Sequence, residues 1–100
     1  MSFFYDKDIK AKVLDEKSSR KVLAHDEDAM ICHLYFEKGG IGTPHKHVHT
    51  QICYILSGVF DFTLDGKTER ISAGDSVYIP SDVIHGLECI EKGELLDVFT

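Results

Sequence analysis

The chain has 100 residues, 43% of them hydrophobic and 28% charged, with six histidines, no tryptophan and a formal net charge of −6. This length fits one globular domain, residues 1–100, and leaves no room for separate catalytic and cofactor domains. The acidic balance argues against nucleic acid as a partner, because phosphate binding needs a basic face.

Taken in chain order, the first feature is the apolar cluster Phe3, Phe4 and Tyr5, which reads either as core cover or as the contact of a homodimer. Residues 13–14 and 21–24 are weak strand candidates. Residues 29–36 read as a strand with Met30, Cys32, Leu34 and Phe36 on one face. Gly39, Gly40 and Gly42 then break the pattern. Residues 50–56 form the next expected strand, ending at Ser57 and Gly58. Phe60 to Leu64 alternates apolar and polar positions, and Asp65-Gly66 follows as a hairpin turn. Residues 67–71 are the expected return strand. Residues 76–79 run into Pro80, which closes a strand because proline cannot donate to a ladder. Strands at 87–90 and 95–99 complete the set. No helix of more than one turn is expected. Eight or nine short strands in 100 residues predict an all-β barrel or double-sheet roll.

The longest apolar run, residues 52–56, is far short of the roughly 18–20 residues of a membrane span, so no membrane association is expected. The N-terminus lacks the basic-then-apolar order of a signal peptide. Cys32, Cys53 and Cys89 are odd in number and sit among apolar neighbours, which predicts buried reduced thiols and a cytoplasmic location.

The chemistry concentrates in His45, His47, His49 and Gln51, followed later by His85. In an extended chain, residues two apart share a side, so His45 and His47 are expected to converge on one ion with Gln51 in reach. His85, from a second element, is the expected further donor. Neutral imidazoles with an amide oxygen suit a divalent transition metal such as Zn, Ni, Mn, Fe or Co. Three or four protein ligands leave positions open for water or substrate, which marks a catalytic rather than a structural site. His49 has the same parity and is expected at the mouth of the site rather than on the metal. His25 and His33 are given no role.

The spacing Gly39, five residues, His45, one residue, His47, three residues, Gln51, six residues, Gly58 forms one motif. Gly74, five residues, Pro80, four residues, His85 forms a second. Together they resemble the two motifs of the cupin superfamily, which implies a jelly-roll barrel (double-stranded β-helix) with the metal site inside. Gln51 stands where many cupins carry glutamate, Asp82 where many carry glycine, and Cys89 where asparagine is frequent. A neutral amide makes the site less negative and a bound metal a stronger Lewis acid. Cys89 reads as core filler.

The run from His45 to Gln51 with Tyr54, the block from Ala73 to Gly86 and the ending Leu95, Leu96, Asp97, Val98, Phe99 more closely resemble the bacterial pectin-degradation cupins. That resemblance implies conversion of 4,5-unsaturated uronate monosaccharides to linear keto-uronates, with a small sugar acid as substrate. It implies His45, His47, Gln51 and His85 as metal ligands and Asp97 and Phe99 as catalytic residues. Asp97 and Phe99 share a strand face, and an acidic residue between apolar neighbours is a candidate general acid or base if it faces the cavity. The alternative is a solvent-facing residue on an edge strand. In that family an arginine beyond the phenylalanine is implicated, whereas here the sequence stops at Thr100 and the arginines are Arg20 and Arg70. A weaker grip on a substrate carboxylate, a different substrate or lost activity is therefore expected. A non-catalytic cupin that binds a sugar or other small molecule, and a metal-dependent dioxygenase, are the competing functions.

Overall fold

The computed structural model describes residues 2–100. Its strands are β1 (Lys12–Asp15), β2 (Ser18–His25), β3 (Met30–Phe36), β4 (Ile41–His45), β5 (Gln51–Leu64), β6 (Lys67–Ser72), β7 (Ser76–Ile79) and β8 (His85–Phe99). Asp6–Asp8 makes a single 3-10 turn, and no helix among the described residues is long and apolar enough to cross a membrane.

All strand pairs are antiparallel, and β5 with β8 forms the spine. The C-terminal half of β8 lies between β3 and the N-terminal half of β5, whose other edge takes β7; β2 and β1 extend this layer beyond β3. The N-terminal half of β8 lies between β4 and the C-terminal half of β5, whose other edge takes β6. The two halves form two layers of an all-β jelly-roll barrel, as the motif spacing predicts. Pro44 is accommodated because β4 pairs with β8 alone and so lies on an edge.

Two expected boundaries are wrong for one reason. The strand expected to end at Ser57-Gly58 runs on to Leu64, and the strands expected at 87–90 and 95–99 are one strand. Both strands bend instead of ending, through register breaks between Ile55 and Phe60 of β5. Gly58 has φ +84°, and a Cβ there would come within 2.6 Å of the Gly93 Cα. A Cβ on Gly93 would run into the Ser57 carbonyl. The glycines let two backbones pass where the layers join. Gly93→Ala is expected to cost at least about 2 kcal/mol. In a chain of this size that lowers the thermal midpoint by roughly 8–16 °C, which a calorimetric scan would read.

Alternation along β5 separates core from surface. Gln51, Cys53 and Ile55 are buried while Ile52, Tyr54 and Leu56 are exposed. Phe36, Cys53, Ile55, Phe60, Phe62, Ile79, Cys89 and Leu95 make the core, so Cys89 is core filler as expected. The hairpin turn has positive φ at both Asp65 and Gly66, as a type I′ turn requires. The weak candidates at 13–14 and 21–24 belong to true strands, β1 and β2, and β4 was not anticipated. Phe3 and Tyr5 are exposed, so the N-terminal cluster is not core cover.

Candidate metal centre

His45 closes β4, His47 lies two residues on in the irregular segment that follows, and His85 opens β8 directly across from His45 in the register. The segment after β4 is pinned by the Asp82 N–H, which donates to the His47 carbonyl at 2.8 Å. Asp82 has φ +61°, a conformation that favours glycine but that aspartate tolerates.

One ring nitrogen from each of His45, His47 and His85 lies within 4.8 Å of the others. The ring centroids are 4.6–5.4 Å apart. Each Nδ1–H donates to a main-chain carbonyl: Thr43 at 2.9 Å, His49 at 2.8 Å and Val83 at 2.9 Å. A carbonyl only accepts, so each ring carries its proton on Nδ1 and keeps a lone pair on Nε2 for a ligand. Burial holds the His85 pKa below its ordinary value, against the Val83 carbonyl, which keeps this ring neutral.

Two details test whether these residues fit a divalent cation. His85 Nε2 is sealed from solvent and has no hydrogen-bond partner among the described residues. Gln51 Oε1 lies 3.0 Å from His47 Nε2. With Nδ1 protonated, that contact sets two acceptors face to face, and a shared cation removes the repulsion. Three imidazoles and one amide oxygen fit a borderline divalent metal. His49 stands apart from the trio, its Nδ1 3.3 Å from the Thr100 carbonyl oxygen and its ring 6.3 Å from that of His47.

His45 and His85 line a cavity of about 320 Å³ between the layers, at the lower end of the usual range for small-ligand pockets. Its lining includes His45, Gln51, Phe62, His85, Asp97 and Phe99. Asp97 pairs with Cys32 on one side and Cys53 on the other, so it lies on a central strand facing inward, and the solvent-facing edge reading is excluded. Its Oδ1 is sealed from solvent without a hydrogen-bond partner among the described residues. Burial raises the Asp97 pKa, opposed by Gln51, Cys53 and the neighbouring His45 and His47. Phe99 packs edge-on to His47 at 5.7 Å. Arg20, which the sequence left unplaced, also lines this cavity. Alternation along β2, with Ser18 and Val22 on the same side, was the available signal. Arg70 is on the outside, paired with Asp61 at 2.9 Å.

The profile of the cupin domain matches residues 32–99. The chain is 33% identical to the pectin degradation protein KdgF of Dickeya dadantii, over 98% of this chain and 91% of that protein. The structure of KdgF from a Halomonas species superposes with a TM-score of 0.92 at 34% identity, covering 99% of this chain and 92% of the other. An RmlC-like cupin from Shewanella frigidimarina gives 0.93 at 30% identity, covering 99% and 89%.

Proposed function

The chain belongs to the cupin family, and from that premise we propose that it is a metal-dependent isomerase of 4,5-unsaturated uronate monosaccharides, in the manner of the pectin-degradation proteins it is similar to. The observation that carries the reading is a cluster of three histidines, two of which line the same small cavity as the inward Asp97.

His45, His47, Gln51 and His85 would hold the metal, which supplies a Lewis acid to orient the sugar and polarise an oxygen. Opening the ring hemiacetal moves the anomeric hydroxyl proton to the ring oxygen. The resulting C5 enol takes a proton at C4 and gives one up from its oxygen, so atoms and electrons balance without a redox partner. Asp97 is the group to carry those protons: burial favours its acid form, while Gln51 and Cys53 stabilise the carboxylate left behind. Phe99 packs the His47 ring and supplies an apolar wall. The test is to incubate the metal-loaded protein with unsaturated galacturonate and follow loss of the C4–C5 double-bond absorbance. Acceleration over the uncatalysed rate is expected, and none would sink the reading.

In this reading residues 1–100 act as one domain in the cytoplasm, where the three free buried thiols stay reduced. We also propose a homodimer through the outer face of the β7–β5–β8 layer. Ile52, Tyr54, Leu56 and Tyr78 are exposed there at 39–61%, and the registered pairs Ile52–Tyr78, Ile52–Val98 and Tyr54–Leu96 make the patch continuous across three strands. Light scattering is expected to give twice the monomer mass, and Tyr54→Lys to halve it. A monomeric wild type would remove the proposal.

A further inference from the structure

Three side-chain atoms are sealed from solvent without a hydrogen-bond partner among the described residues: His85 Nε2, Asp97 Oδ1 and Arg20 Nε. All three residues line the same cavity. The metal site accounts for the first and proton transfer for the second. Arg20 has no role in either.

Its position follows from register. Arg20 on β2 pairs with Leu34 on β3, which pairs with Leu95 on β8. Ser18 and Arg20 are thus on the inward face with Leu34 and Phe36. Arg20 sits two strands across and one same-face row along from Asp97, and two rows along from Phe99 and Gln51. It takes part in none of the ion pairs found among the described residues. Asp15 also lines the cavity, but its Oδ1 accepts the Lys17 N–H at 2.8 Å. Arg20 is half-buried, and an Nε sealed from water without a partner is costly to keep. A planar fork of donors is matched by a carboxylate.

We propose that Arg20 is the carboxylate-binding residue of the cavity, holding the anionic end of a monosaccharide-sized acid while the sugar ring extends toward the three histidines. That the acid is an unsaturated uronate rests on the function proposed above; the preference for a carboxylate does not. Arg20 would then set specificity for sugar acids over neutral sugars.

The experiment titrates the protein with saturated galacturonate, which cannot react, and with its methyl ester, using calorimetry. The wild type is expected to bind the acid about 10–100-fold tighter than the ester, the usual range for a hydrogen-bonded charged group. Arg20→Met keeps the apolar stem and is expected to erase that preference. Arg20→Lys is expected to keep part of it, having the charge without the fork. Because Arg20 has no ion pair among the described residues and its Nε no partner there, Arg20→Met is expected to melt no lower than the wild type. A preference that survives Arg20→Met overturns the proposal, as does a wild type with no preference. So does an Arg20→Met protein that melts well below wild type together with an Arg20→Lys protein that restores stability but no acid preference, the pattern of a structural arginine. Failure of the reaction is distinguishable. If unsaturated galacturonate is not turned over yet the acid preference vanishes with Arg20→Met, the isomerase reading falls and the Arg20 assignment stands. If turnover proceeds with KM unchanged in Arg20→Met, the assignment falls and the reaction stands.

Discussion

Asp97→Asn is expected to lower turnover of unsaturated galacturonate about 10²–10⁴-fold, the range for losing a positioned general acid or base. The same change is expected to raise the stability of the metal-free protein near neutrality. Asp97 Oδ1 is sealed from solvent without a partner among the described residues, and burial raises the pKa of the group above the carboxylate's ordinary value. Between that ordinary value and the raised one, the folded chain holds a proton that the unfolded chain has released. Stability therefore falls as pH rises through this window and stays lowered above it. Asparagine is nearly isosteric, keeps an acceptor and cannot ionise, so the loss disappears. Turnover rates and thermal melts across that window check both halves. Full activity in Asp97→Asn would end the acid/base assignment. A variant less stable than wild type at neutral pH would show that the carboxylate is structurally paired.

His45→Ala/His47→Ala is expected to lose the ion completely and the activity with it. Removing two of the three clustered imidazoles leaves His85 and Gln51, too few donors to hold a divalent transition metal. In the wild type, a metal that binds the folded chain alone stabilises it by about 2.7 kcal/mol when present at 100 times its dissociation constant. For a domain of this size that is a rise of roughly 10–20 °C in the midpoint. Chelator should reverse the rise, and the double variant should melt at the same temperature with or without metal. Elemental analysis after dialysis reads occupancy directly. Full occupancy in the double variant would refute the site.

Much of this was legible in the residues. The spacing of Gly39, His45, His47, Gln51 and Gly58, and of Gly74, Pro80 and His85, pointed to the barrel and to the histidines that cluster. Those glycines, and Pro80, sit where the backbone demands them: Gly39, Gly58 and Gly74 all have positive φ. Short-range chemistry also marked the Asp65-Gly66 hairpin and the end of β7. The strand boundaries at Ser57 and between Ile90 and Leu95 were misread, because a glycine that ends a strand and a glycine that lets two strands cross look the same in one dimension. Only the contact between Gly58 and Gly93, 35 positions apart in the chain, tells them apart.

By itself the sequence determined the all-β class, the cupin resemblance and the identity of the clustered histidines. These depend on local backbone preference and on spacing, which are properties of neighbours along the chain. The tertiary structure alone decided three things. It set His85 opposite His45 through the register of β8 with β4. It turned Asp97 inward on a central strand. It carried Arg20 from the far side of the layer to the same cavity. Alternation states which residues share a face, but which face closes on the cavity is settled by cross-strand register, an interaction between segments tens of residues apart.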